Sequence, residues 1–144
     1  MNNIKYWGEK GFVNAAELYV SDRLKQGVDV SFNMDKKEFK KQPGVYIIVS
    51  EEDEVLKIGQ SANVLHRINV QYKTIVNTGN DRIRNEVKKK YKKVFFYVLK
   101  TPKQKYSLLD YSFYINYQKG LEEAMLKDYD EQIGDIPPLN LQRN

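Results

Sequence analysis

Chemistry in this chain has few possible carriers. The 144 residues include no cysteine and one histidine, His66. Thiolate nucleophiles, disulfides and cysteine-ligated zinc are therefore excluded, and a histidine-rich metal site lacks ligands. Tyrosine, lysine, arginine and the carboxylates remain, with 11 tyrosines among them. Within that set one spacing stands out. Strand side chains alternate between faces, so Tyr46 in Val45-Tyr46-Ile47-Ile48-Val49 shares a face with Ile48, and Lys57 in Val55-Leu56-Lys57-Ile58 shares one with Gly59. A turn centred on Glu51-Glu52 sets Tyr46 opposite Lys57. Moving that turn by one residue sets Tyr46 opposite Gly59 on the same face, whereas an odd-length loop leaves two unrelated sheet residues. A phenol beside an ammonium ionises more easily, because the cation favours phenolate.

Gly59-Gln60-Ser61-Ala62-Asn63 reads as a tight strand-to-helix junction. Helix starts present backbone N–H groups suited to phosphate, which makes Gln60 and Ser61 candidate contacts to a nucleic-acid backbone. In the helix that follows, steps of about 100° gather Val64, Leu65, Ile68 and Tyr72 into one apolar stripe. Arg67 lies at its margin beside Gln71, and His66 points the other way. A guanidinium there either grips a phosphate bidentately or pairs with a carboxylate at the surface. In the last helix Leu121, Ala124, Met125 and Tyr129 define the apolar stripe, Glu122 flanks it and Glu123 projects into solvent. Glu122 is either a boundary residue or an anchor for Mg²⁺, which takes only one or two carboxylates and keeps waters and substrate phosphate as its other ligands.

The net charge of +5 and a pI near 9.2 point towards polyanionic partners. The cations are concentrated in residues 82–93, where Arg82, Arg84, Lys88, Lys89, Lys90, Lys92 and Lys93 face Glu86 alone. This is either a solvated helix face or a phosphate-tracking surface, with Arg82, Arg84, Lys88 and Lys89 as candidate DNA contacts.

The positioning elements follow from hydrophobic period and punctuation. Asn14, Ala15, Ala16, Leu18, Tyr19 and Leu24 up to Gly27 predict a capped helix, and residues 35–41 a short one before Pro43. The two β-rich runs form a hairpin. Helices follow on the Val64 stripe and on Ile83, Val87 and Tyr91, with residues 77–80 as the loop between them. Val94-Phe95-Phe96-Tyr97-Val98-Leu99 is a central strand, residues 105–116 are open between hairpin and extended loop, and a last helix covers about 117–131, ahead of Pro137-Pro138. The expected fold is a single α/β (α+β) domain with a small, mostly antiparallel central sheet flanked by helices, preceded by a helical N-terminal extension over about 1–42. No apolar run approaches the ~20 residues of a membrane span and the start lacks a signal-peptide core, so a cytoplasmic location with no membrane partner is expected.

Gly44-Val45-Tyr46, then ten residues to Lys57-Ile58-Gly59, Arg67 eight residues later, and the Leu121-Glu122 helix together resemble the GIY-YIG nuclease family. The stretch KIGQSANVLHRI (57–68) is the most specific part, and the resemblance spans roughly residues 43–127. Within the family the chain is most similar to the compact type II restriction endonucleases that carry Lys where the second motif usually has Tyr. The resemblance implies metal-dependent hydrolysis of double-stranded DNA at a specific sequence, leaving 5′-phosphate and 3′-hydroxyl ends. It implies Tyr46 as general base, Lys57 helping to deprotonate Tyr46 or the water, Arg67 holding the scissile phosphate, and Glu122 as sole protein ligand of one Mg²⁺ (Mn²⁺ substituting). A palindromic duplex site needs two cuts and hence a homodimer. Residues 103–118 are expected to enter a groove.

Two positions depart from the pattern. The family usually has His or Tyr four residues beyond the Arg, where this chain has Gln71. Tyr72 comes one residue late, so either the helix is distorted and Tyr72 joins the catalytic group, or another group assists Arg67. Pro137-Pro138-Leu139-Asn140 resembles the family's Asn element, displaced by an insertion. A structure-directed or weakly specific nuclease, and a non-catalytic nucleic-acid-binding module, are the alternative readings.

Overall fold

The computed structural model describes residues 2–73 and 78–140. Five strands, β1 (Val13–Val20), β2 (Val28–Phe32), β3 (Gly44–Val49), β4 (Val55–Ser61) and β5 (Lys93–Lys100), pair antiparallel in the order β2-β1-β5-β3-β4. All six residues of β3 are buried, because β3 runs inside the sheet with both of its faces covered.

One face carries Tyr46, Ile48, Leu56 and Phe96, packed under Ile68 and Tyr72 and under Ile83 and Val87. The first pair belongs to α2 (Val64–His66), which runs on as a π-helical turn (Arg67–Gln71). The second belongs to α3 (Thr78–Glu86) and its own π-turn (Val87–Tyr91). The opposite face carries Val45, Ile47 and Ile58 against Met125, Leu126 and Tyr129 of α4 (Tyr117–Ile133), and against Ile4 and Trp7 of α1 (Ile4–Gly8). Each of these large side chains contributes about 1.5–3 kcal/mol by leaving water. Asn116 caps the start of α4, and Gly134, at φ 92°, closes it in the left-handed conformation that glycine adopts without steric cost.

The N-terminal region corrects the expectation of a helical extension. Apart from α1 it supplies β1 and β2, which extend the central sheet. Ala16 and Leu18 are buried while Glu17 and Tyr19 face outward, a period of two. A bulge between Asn14 and Ala16 lets the adjacent Ala15 and Ala16 both turn inward, which imitates helical spacing. Pairing with β2 on one side and β5 on the other satisfies the backbone of β1, and it outweighs a helix preference of at most about 0.7 kcal/mol per ordinary residue.

Smaller differences follow. Residues 35–41 hold a 3₁₀ turn, Lys36–Phe39, capped by Asp35. Of the expected loop at 77–80, position 77 lies outside the described residues and 78–80 open α3. Residues 105–116 contain a separate hairpin, β6 (Lys105–Leu108) with β7 (Tyr111–Tyr114). Ala124 is exposed rather than part of the buried stripe of α4. Among the described residues no helix is long and apolar enough to cross a membrane.

Candidate active site

In the β3–β4 hairpin Tyr46 pairs with Gly59 and Ile48 with Lys57, so Tyr46 and Lys57 share a face. The phenol of Tyr46 lies directly over Gly59. A Cβ at Gly59 would stand 2.5 Å from the Tyr46 hydroxyl oxygen and 2.8 Å from its Cε2, which no larger residue could tolerate in place.

Tyr72 reaches this site through the π-turn. Its N–H donates to the carbonyl of Arg67, five residues back, at 3.0 Å. The extra residue in the turn brings Tyr72 to the place that the fourth residue after Arg67 takes on a regular helix. The Tyr46 and Tyr72 hydroxyls then lie 2.7 Å apart, with the two rings edge to face at 5.8 Å and Phe96 packed against both. The Lys57 ammonium sits over the Tyr72 ring at 5.5 Å. Tyr72 therefore joins the cluster, and the side chain four residues after Arg67 is not needed there.

The charges at the site act on one another. Burial pushes the Tyr46 phenol above its ordinary range, opposed by the positive charge of Arg67 and the hydrogen bond with Tyr72, and reinforced by Glu122. Tyr72 is held well above its ordinary value, by burial first and then by Tyr46. Burial and the neighbouring Arg67 pull Lys57 down to about 8, against the opposite pull of Glu122. Burial raises Glu122, with Lys57 opposing. A cation next to Tyr46 was expected to ease its ionisation, but desolvation outweighs the attraction of Arg67. Arg67 Nε is buried without a hydrogen-bond partner, a donor that an anionic oxygen would satisfy.

Among the described residues no group of three or more His, Cys, Asp or Glu forms a ready-made metal cage. A lone, half-buried carboxylate suits Mg²⁺, whose remaining ligands are water and phosphate.

The basic segment divides. Arg84 is 2% exposed, donates to the carbonyls of Gln71 and Tyr72 at 3.2 and 2.9 Å, and pairs with Asp81. Arg82 donates to the carbonyls of Pro138, Leu139 and Asn140 at 3.1–3.2 Å. Both guanidiniums brace the fold; Arg84 is buried and so corrects its reading as a DNA contact, whereas Arg82 is half-buried and its charge also acts on Lys57. Arg84 lies three residues before Val87 and seven before Tyr91, a position on the buried stripe that a count of charges passes over. Lys88 is half-buried, and Lys89, Lys90 and Lys92 are exposed. At the β4–α2 junction Gln60 is half-buried. The mostly buried Ser61 accepts from the N–H of Asn63, and Asn63 caps α2 through His66 N–H.

Asn140 holds the outer edge of β4. Its Oδ1 accepts from Ile58 N–H and its Nδ2 donates to Ile58 C=O, both at 3.0 Å, while Leu139 N–H donates to Leu56 C=O at 2.7 Å. The clamp sits between Lys57 and Gly59.

No family model matches this sequence, and no curated protein matches it. Two solved structures do. A mutant of bacteriophage T4 EndoII is 20% identical with a TM-score of 0.65, covering 98% of this chain and 100% of that one. The restriction endonuclease HPY188I, in complex with product DNA, is 20% identical with a TM-score of 0.60, covering 99% of this chain and 87% of that one. Both have this fold. The five-stranded antiparallel sheet with flanking helices is thus an architecture the chain shares with these proteins.

Proposed function

We propose that the protein is a metal-dependent DNA endonuclease of the GIY-YIG type, cutting duplex DNA at a specific sequence as a homodimer. The observation that carries this reading is the meeting of Tyr46, Tyr72, Lys57, Arg67 and Glu122 in one electrostatically coupled cluster. The fold shared with a restriction endonuclease bound to product DNA supports it.

Hydrolysis of a phosphodiester needs an activated water, neutralisation at the non-bridging oxygens and help for the leaving oxygen. Lys57, lowered to about 8, is uncharged in a substantial fraction of molecules at mildly alkaline pH and accepts the Tyr46 proton. Tyr46 then takes the proton of the attacking water. Tyr72 donates to the Tyr46 oxygen and fixes its position. Arg67 turns its free Nε–H to the scissile phosphate and binds the charge that grows there. Glu122 would hold Mg²⁺ or Mn²⁺, which when bound supplies charge neutralisation at the phosphate and the leaving 3′-oxygen. Lys88 and Lys89 contact the flanking backbone, and the Gln60-Ser61 junction lies beside it.

The test is incubation of plasmid DNA with the protein and Mg²⁺ or Mn²⁺, followed by sequencing of the ends. Discrete fragments with a recurrent end sequence support the reading. Scattered ends or branch-point cuts replace sequence-specific cutting by a weakly specific or structure-directed activity. No cleavage with any divalent ion defeats it.

A further inference from the structure

A cavity opens at the root of the β6–β7 hairpin. It has a volume of about 270 Å³, and Pro43, Ala62, Lys103, Tyr114, Ile115 and Gln118 are among its lining residues. Gln118 is 5% exposed, yet its side-chain amide makes no hydrogen bond among the described residues. Its amide atoms are not sealed off but open into the cavity, so a molecule entering there meets both an N–H donor and a carbonyl acceptor. Asn116, also on this wall, already uses its Oδ1 to cap the Lys119 N–H, so Gln118 is the free polar reader.

The other walls indicate the ligand. The Tyr114 ring is 59% exposed and, with Pro43 and Ile115, offers a flat apolar surface. Lys103 is an exposed cation on the rim. An amide donor–acceptor pair, an aromatic platform and an ammonium match the edge, face and phosphate of a nucleotide. The cavity is smaller than the ~300–1,000 Å³ of sites for drug-sized ligands, and takes one planar heterocycle. Ala62 is three residues past Gly59, roughly 10 Å at the ~3.3 Å rise of a strand, so the cavity neighbours the Tyr46 cluster.

We propose that this cavity is a base-recognition subsite for one unstacked adenine beside the cleaved phosphate, with Gln118 reading its edge and Tyr114 stacking on its face. Glutamine matches the adenine N6 donor and N7 acceptor, whereas guanine offers two acceptors there and meets the Gln118 oxygen with its own. That the base belongs to the substrate rests on the nuclease reading above, but the affinity of the cavity for adenine does not.

Two measurements separate these. In the first, ¹⁵N-labelled protein is titrated with AMP and with GMP. Saturable shifts of the Gln118 side-chain amide and of the Ala62 and Ile115 N–H signals with AMP, at least fivefold weaker with GMP and lost in Gln118→Met, are expected. No shift at these signals, or equal response to both nucleotides, overturns the proposal. In the second, DNA ends made by wild type are compared with those of Gln118→Met and of Tyr114→Ala, the latter at an exposed position that leaves the fold intact. Adenine enriched at one fixed distance from the cut, flattened five- to hundredfold in either variant while other positions keep their preference, is expected. Unchanged end sequences in both variants overturn the substrate role. Absence of any cutting, with the AMP response intact, overturns the nuclease reading and leaves an adenine-binding cavity established.

Discussion

The hydroxyls of Tyr46 and Tyr72, 26 positions apart in the chain, lie 2.7 Å from one another in a buried cluster of aromatic rings. One comes from the strand inside the sheet and the other from a π-turn. The bond between them helps to fix where the oxygen of Tyr46 points.

Tyr46→Phe is expected to reduce cleavage by about 10²–10⁴-fold while DNA binding, measured by gel shift in Ca²⁺, stays unchanged, because the proposed general base is lost and no proposed binding group is. Tyr72→Phe removes the partner 2.7 Å from the buried Tyr46 hydroxyl, and is expected to lower stability by about 1–3 kcal/mol. In the double variant both oxygens are gone, and the two stability losses should fall short of additive in urea titrations.

Gly59→Ala tests the close approach. A Cβ at Gly59 collides with the Tyr46 ring, and Tyr72 and Phe96 block the ring's retreat. Overpacking of this kind costs about 1–3 kcal/mol. Thermal unfolding should show that loss, and cleavage should fall at least tenfold. Adding Tyr46→Leu to Gly59→Ala should recover stability without recovering activity. If Gly59→Ala keeps full activity, the phenol does not act from the position described.

Lys57 makes the site sensitive to pH in a defined direction. Its folded value of about 8 lies below the ordinary 10.5, so the folded state binds the proton less tightly than the unfolded chain. The cost of its charge is fully present below pH 8 and is released as pH rises towards 10.5. Lys57→Met should therefore raise the Tm at pH 7, by a margin that shrinks as pH approaches 10.5. In the proposed mechanism cleavage follows the neutral amine. The expected profile of kcat/KM rises with a single-proton slope to a plateau above about pH 8, and Lys57→Arg, which keeps its charge, should stay low throughout.

How much of this was legible depends on the kind of signal. The β3–β4 hairpin and the stripe of Val64, Ile68 and Tyr72 were readable because a buried face imposes its period on the residue types, whereas loop parity left the pairing of Tyr46 with Lys57 open until the register was known. The π-turn was not readable, since a single added residue leaves no compositional mark. Its trace was Tyr72 standing one place late. Strand β1 was misread because Ala15-Ala16-Glu17-Leu18 carries good helix formers, and the partners that make it a strand, β2 and β5, are supplied by tertiary structure. Arg84 was misassigned, and the bracing bonds of Arg82 went unseen, because charge alone does not distinguish a guanidinium that braces carbonyls from one that waits for phosphate. Gln118 carried no signal at all, since only its burial marks it.

In the proposed mechanism Glu122 is the carboxylate that would hold the metal. Glu122→Gln keeps the shape of the side chain and removes its charge. Cleavage should fall by at least 10²–10³-fold at saturating Mg²⁺, as for other preorganised electrostatic groups, with duplex binding retained. The same change removes the charge that opposes the lowering of Lys57, so the Lys57 value in Glu122→Gln should move further down, measurable by NMR of the labelled amine. Full activity in Glu122→Gln would exclude it as the metal ligand.

The last prediction concerns the strand edge that carries the site. Asn140 closes both hydrogen-bonding groups of Ile58, and Arg82 holds the carbonyls of Pro138, Leu139 and Asn140 in place for it. Cutting either link frees the same segment, so the two residues act in series. Asn140→Ala should lower stability by about 1–3 kcal/mol through the exposed edge of β4. Arg82→Ala should cost a similar amount, and the double variant little more than the worse single one, a coupling that denaturant titration of the four proteins measures directly. Because Lys57 and Gly59 flank Ile58, both single variants should also slow cleavage, and hydrogen exchange at the Ile58 N–H should accelerate in each. Additive losses, with Ile58 exchange unchanged in Arg82→Ala, would mean that Arg82 supports the fold independently of Asn140.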